Sequence, residues 1–413
     1  MRQAKKLRTD RAVHWGLGIG AIMIIVALAW SEFSERRAPR NGHPAIPQKW
    51  EFTTAGTITG SLALSDDGTL YAASADGFVY ALDSSGKLQW KLQLAPIESS
   101  PAIGADGTIY ITDANELIYA INRNGTQQWS FGGGPYADKR LGSIAAAVDQ
   151  NFLYTPWRGQ VRALRLSTGY PEWPAGMDFE RGGAVILLPN SLILHPGNGR
   201  LEAVESGGRT AWEYPVRNPP LTPDLLLKYG GQPPAGNFWL ESAMAVGADG
   251  TLYACAADSR LVALGSNGAF KWEFHTKSAS VSRAAPVIAS DGSIYTGTSE
   301  GLLYALNSDG SQKWSAAISG SISSTPVLAE DGTIFVVSGS TLDAVSPDGH
   351  IIAQAPLMAA AQSSPTLAPD GTVYVATTAG KVLAFDGGHG SLMDSPWPKF
   401  QRDLANSGRA ILY

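Results

Sequence analysis

Short apolar runs separated by turn signals follow one another along most of this chain. One stretch shows the phrase in full. It reads Ser100-Pro101-Ala102-Ile103, Asp106-Gly107, Thr108-Ile109-Tyr110-Ile111, Leu117-Ile118-Tyr119-Ala120, Gly125 and Gln128-Trp129-Ser130. The runs are too short for helices and rich in β-branched and aromatic side chains, which predicts strands. Asp-Gly between the first two runs predicts a tight hairpin, because such a turn needs positive φ. Gly125 marks a further turn before the tryptophan strand. The unit is therefore four strands, here lettered A to D.

The unit recurs eight times. Its A–B turns fall at Asp67-Gly68, Asp106-Gly107, Asp149-Gln150, Pro189-Asn190, Asp249-Gly250, Asp291-Gly292, Asp331-Gly332 and Asp370-Gly371. Most steps are 39 to 43 residues, and the step from Asn190 to Asp249 is longer by roughly 20, as a loop insertion makes it. The third and fourth copies are the weakest, carried by Leu153-Tyr154, Ala163-Leu164, Gly169 and Trp173, then Leu192-Ile193, Ala203-Val204, Gly208 and Trp212. A repeat of this length made of four short strands predicts an all-β, eight-bladed propeller of antiparallel four-stranded blades. Tryptophan marks strand D at Trp90, Trp129, Trp173, Trp212, Trp272 and Trp314, with Ala353 in the seventh copy. An extra copy, Trp50-Glu51-Phe52, precedes the first unit, and the eighth drifts off pattern after Asp386. This predicts a ring closed by its two ends, with Trp50 on the outer strand of the blade that holds Thr366 to Phe385. Closure removes the open sheet edges.

Composition narrows the chemistry. Charged residues make up 16% and the net charge is −5, with no basic patch for nucleic acid. The single cysteine, Cys255, allows no intrachain disulfide and sits in a strand B, where a small buried hydrophobe is expected. No two of the six histidines share a metal-ligand spacing. Only Asp66-Asp67-Gly68 approaches a calcium loop, and the other Asp-Gly pairs read as hairpin turns. No nucleophile elbow or phosphate loop stands in a strand–turn–helix context. No metal is expected.

At the N-terminus, Arg2, Lys5, Lys6, Arg8 and Arg11 precede an uncharged apolar run from Trp15 to Trp30. This predicts a hydrophobic helix, over residues 1–30, that is either a retained single-pass signal-anchor or a signal peptide cleaved after Ala29. The positive flank places the N-terminus in the cytoplasm and the rest outside it, in the periplasm or at the extracellular face. Residues 31–48, with Pro39, Pro44 and Pro47, read as a flexible tether, and residues 49–413 as the propeller.

The segment Ala81-x-Asp83-x-x-Gly86-x-x-x-Trp90 resembles the tryptophan-docking motif of the quinoprotein-like propellers, the family of the PQQ-like repeat. So does the segment from Ala163 through Gly169 to Trp173. The tail from Pro396-Trp397-Pro398-Lys399-Phe400 to Gly408-Arg409 is similar to the end segment of such chains. The resemblance implies that each indole docks on the turn of a neighbouring blade. The family includes dehydrogenases that carry pyrroloquinoline quinone with calcium, and non-catalytic scaffolds of outer-membrane barrel assembly. The vicinal cysteine pair of the enzymes is impossible with one cysteine. The expectation is a non-enzymatic extracytoplasmic binding or scaffolding module with no cofactor. The alternative is a quinone-dependent oxidoreductase of alcohols or sugars.

Two candidate binding regions remain. Arg140, Arg181, Glu241 and Arg283 lie at or just before strand A of their units. At the channel mouth they would hold a small acidic ligand or a peptide; otherwise they are solvated loop residues. The insertion between Trp212 and Ser242 carries Tyr229, Phe238 and Trp239, which either face a protein partner or tuck down onto the ring.

Overall fold

In a computed structural model, the residues described are 42–132, 146–157, 160–173, 177–178, 184–188, 192–197, 200–215, 244–256, 260–276 and 284–410. They form eight four-stranded antiparallel sheets, the blades of a propeller. Blade 1 is Ala63–Leu64, Leu70–Ala73, Phe78–Leu82 and Leu88–Gln93, from axis to rim. The inner strands of blades 2 to 7 are Ala102–Ile103, Ala147–Val148, Ile186–Leu187, Ala245–Val246, Val287–Ile288 and Val327–Leu328.

Blade 8 closes the ring as the sequence predicts. Its three inner strands, Thr366–Leu367, Thr372–Ala376 and Lys381–Asp386, come from the end of the repeat. Its outer strand is Gln48–Thr53, with Trp50 opposite Ala384. Asp-Gly turns behave as read: Gly68, Gly107, Gly250, Gly292, Gly332 and Gly371 all have positive φ.

Burial follows blade position. In blade 1 strands A and B are fully buried, and strand C nearly so, because neighbouring blades cover both faces. Strand D alternates exposed and half-buried residues, since its outer edge meets solvent. Cys255 is buried in strand B of blade 5, its thiol 3.5 Å from the Thr296 hydroxyl of blade 6. The charged run and hydrophobic helix predicted for residues 1–30, and the tether up to Asn41, lie outside the described residues. Among the described residues no helix is long and apolar enough to cross a membrane.

Candidate functional site

Seven seams between blades are built the same way. An indole N–H, on the outer strand or, for Trp173, just before it, donates to a carbonyl in the C–D turn of the next blade. The pairs are Trp50 to Ser84 (2.9 Å), Trp90 to Arg123 (2.7 Å), Trp129 to Leu166 (2.7 Å) and Trp173 to Ser206 (2.7 Å). Trp212 to Ser266 (3.0 Å), Trp272 to Ser308 (3.0 Å) and Trp314 to Pro347 (2.8 Å) complete the set. The ring faces lie on the turn glycines Gly86, Gly125, Gly169, Gly208, Gly268, Gly310 and Gly349, each at positive φ. Burying most of an indole in this way stabilises each seam by on the order of 2 kcal/mol.

The seam between blades 7 and 8 departs from the pattern, because strand D of blade 7 carries Ile352-Ala353. In blades 5, 6 and 8 the residue before the tryptophan is a lysine. It reaches across to the A–B turn aspartate and the first hydroxyl of strand B. Lys271 binds Asp249 (3.0 Å) and Thr251; Lys313 binds Asp291 (3.2 Å) and Ser293; Lys49 binds Thr372 (2.7 Å), with Asp370 at 3.9 Å. Blade 7 has Asp331 and Thr333 in those places but no lysine. His389 fills the gap from the C-terminal tail, its Nδ1 lying 2.8 Å from Asp331 Oδ2 and 3.1 Å from Thr333 Oγ1. Its ring meets Phe335 edge-on.

From there the tail runs along the inner strands. Trp397 O accepts from Ile288 N (2.8 Å) in blade 6, and Pro398 O from Leu328 N (2.9 Å) in blade 7. Leu404, Ala405, Ser407 and Gly408 carbonyls then accept from Leu64, Ile103, Val148 and Leu187, in blades 1 to 4, at 2.8 to 3.0 Å. Six blades thus offer the tail the same group, the N–H of the second inner-strand residue. Between the two stretches the tail folds over Lys399, which is fully buried. Its Nζ donates to Phe400 O (3.0 Å), Asp403 O (2.9 Å) and Asn406 Oδ1 (2.6 Å), matching three donors to three acceptors. Burial pulls this lysine down to about 7, and the Asp403 charge opposes it. Asn406 Nδ2 in turn donates to Leu62 O (3.2 Å) and Pro101 O (3.0 Å). Phe400 packs against Ala184 and Ala285, at the inner-strand starts of blades 4 and 6. Phe400 is half-buried there, beside two blades that are not neighbours in the ring.

Those alanines belong to a belt at the other end of the inner strands. Blades 7, 8, 1 and 2 carry hydroxyls there: Thr325, Ser364, Ser61 and Ser100. Each accepts a backbone N–H from the preceding blade: Ala285 N to Thr325 (3.1 Å), Thr325 N to Ser364 (3.1 Å), Ser364 N to Ser61 (3.1 Å) and Ser61 N to Ser100 (2.8 Å). One half of the belt is therefore sewn by hydroxyls, while Ala184 and Ala285 on the other half leave room for Phe400.

Blade 5 holds a buried ion pair between its strands C and D. Arg260 and Glu273, both almost fully buried, pair at 2.9 Å, and His275 Nε2 stands 2.8 Å from the same carboxylate. Desolvation pushes the Glu273 carboxyl up, but the bonds and charges of His275 and Arg260 outweigh it and hold it at about 2. The equivalent pair in blade 4 is Arg200 with Glu213. Sequence reading passed over these residues, although Trp-Glu thirteen positions after an arginine recurs in both copies.

The predicted channel-mouth residues Arg140, Arg181, Glu241 and Arg283, and the insertion aromatics Tyr229, Phe238 and Trp239, lie outside the described residues. Phe400, Lys399, Asn406 and His389 were not singled out from sequence, because backbone bonding along a tail leaves no side-chain period. A calcium ion needs several oxygen ligands. Among the described residues no three or more His, Cys, Asp or Glu side chains stand close enough to share an ion. A small cavity between blades 2 and 3, lined by Ser99, Tyr110, Ile118, Leu153 and Thr155, measures about 10 Å³, room for about one water.

Comparison with known proteins places the chain. Solved structures share its fold. BamB from Moraxella catarrhalis matches with a TM-score of 0.66 at 16% identity, over 83% of this chain and 100% of that one. The computationally designed Ika8 protein matches with a TM-score of 0.64 at 12% identity, over 84% of this chain and 100% of its own. No curated protein sequence matches the chain. A family model does, over residues 47–195 and 257–396, which together span most of the propeller, and the chain belongs to the family described as outer membrane protein assembly factor BamB.

Proposed function

We propose that the chain is a non-enzymatic scaffold that works outside the cytoplasm and binds a protein partner, in keeping with the assembly-factor role its family is named for. The observation that carries this reading is the C-terminal tail, bonded through its carbonyls to six inner strands. The tail lines the inner strands of six blades, and the surfaces left for a partner are the rims and the inter-blade loops. Seven indole-locked seams make those rims stiff, which lowers the ordering cost of binding a large partner. Net charge and the absence of a basic patch fit a protein partner better than nucleic acid. The apolar run at Trp15–Trp30 supports export and tethering at the membrane.

Titration calorimetry of the purified chain with pyrroloquinoline quinone plus calcium separates this reading from the quinone-dependent alternative. The scaffold reading expects no saturable heat and no dye reduction with alcohols or sugars. Tight binding followed by turnover would make the chain an oxidoreductase. Site-specific photocrosslinking in cells then tests the partner directly. Exposed Tyr170 and Met358 serve as probe sites. A single discrete adduct with an envelope protein is expected, and its absence from both sites and from the 216–243 insertion would sink the scaffold reading.

A further inference from the structure

The tail is held unlike any other segment of the ring. Its carbonyls, not its side chains, meet the inner-strand N–H groups of Leu64, Ile103, Val148, Leu187, Ile288 and Leu328. These six donors sit at one repeated position, so they form a collar of N–H groups pointing at whatever lies inside. Backbone recognition of this kind tolerates many sequences, and side-chain anchors supply the selectivity. The anchors here are Trp397, fully buried in the core of blades 4 to 6, Lys399 with its three acceptors, and Asn406, which ties blades 1 and 2 to the lysine. The blades do not need the tail for their own pairing, since all eight four-stranded sheets are complete without residues 387–410. The tail is attached through a Gly-rich stretch, Gly387-Gly388-His389-Gly390, two of whose glycines, Gly388 and Gly390, are exposed and at positive φ.

We propose that the collar is a polypeptide-binding site, and that residues 392–410 are its ligand in cis. The ligand class is an extended segment whose carbonyls meet the collar and which carries a lysine and, seven residues on, an asparagine to fold over it. This goes beyond the scaffold reading and does not depend on it. His389, on Asp331 and Thr333, is the clasp that keeps the local concentration of the tail high.

The test uses the full chain with a specific protease site inserted between Gly388 and His389, cut after folding. A labelled synthetic peptide of residues 389–413 is then added. The expected result is a nicked chain that stays folded by circular dichroism and retains its tail on gel filtration. The labelled peptide should exchange into it saturably. The same peptide with Asn406→Ala, which removes three hydrogen bonds, should bind roughly 10- to 100-fold more weakly, and a scrambled peptide should not bind. The proposal is overturned if the propeller melts on nicking, because the tail is then part of the fold. It is equally overturned if the tail leaves and the peptide fails to rebind, or if the Asn406→Ala peptide binds as tightly as the original.

Discussion

The indole of Trp90 rests directly on Gly125, so closely that a β-carbon there would stand 2.7 Å from the ring. Trp173 over Gly208 is the loose exception, at 3.6 Å. Both glycines have φ of +84°. Alanine at either position is strained by its backbone, at about 1–2 kcal/mol, but only at 125 does it also push the indole off its seat. Gly125→Ala should therefore cost about 1–3 kcal/mol more than Gly208→Ala. Chemical denaturation of the two variants checks this, and equal losses would show that the indole contact is not what the glycine protects.

His389 stands where three other blades place a lysine, and this makes a rescue experiment available. His389→Ala should lower stability by about 1 kcal/mol, the worth of an ordinary hydrogen bond. Adding Ile352→Lys should restore it, because residue 352 occupies the register of Lys271 and Lys313. Melting temperatures of the single and double variants decide. A double variant no better than the single one would mean that the tail, not the turn, is what His389 serves.

Glu273 gives the acid side of the stability curve a specific origin. Its carboxyl titrates at about 2 in the folded chain against 4.5 when unfolded. The folded-state value is depressed, so its contribution, about 3 kcal/mol, is complete above pH 4.5 and is lost as pH falls toward 2. The gap in melting temperature between the parent and Glu273→Gln should close over that window. A gap that stays constant would leave the Arg260–Glu273–His275 cluster without a titrating role.

Lys399 gives stability the same sign of pH slope on the alkaline side, by shedding a cost rather than by gaining a contribution. Burial lowers it to about 7 from 10.5, so between those values the unfolded chain holds more protons than the folded one. Stability from this group therefore rises as pH increases from 7, and the full cost of burying the charge is present below 7. Tyr214, Tyr253 and Tyr374, pushed up to about 12 mainly by burial, bring an opposing fall that begins near pH 10. Melts of the parent and Lys399→Met between roughly pH 7 and pH 9.5 should diverge in slope, the parent gaining on the variant. Parallel curves would show that the three acceptors hold the ammonium charged throughout.

The sequence displayed whatever the repeat had to solve with side chains. Trp90 through Trp314, the turn glycines and the closing Trp50 are legible because one contact recurs at one spacing, so each copy corroborates the others. The third and fourth blades were weak in sequence, and blade 3 ends in an outer strand of only two residues, Met177–Asp178. The tail was legible as a family end segment but its role was not. Its bonds run through backbone carbonyls, which any residue supplies, and its anchors Lys399 and Asn406 occur once. His389 was hidden for a related reason, since it does a lysine's work from a segment with no repeat to compare it with. The candidate site residues Arg140, Arg181, Glu241 and Arg283 lie outside the described residues.

Closure through Gln48–Thr53 has a consequence for how the chain is made. Glu51 finds its partner Lys381 some 330 positions later. The first of the described strands to be made is therefore the last to be paired, and its half-buried face, with Trp50 and Phe52, waits while seven blades assemble. Loop closure over such a span makes the final joining slow. During that wait the strand is an open edge able to pair with another copy. Time spent half-built, more than stability once finished, is where this ring is vulnerable.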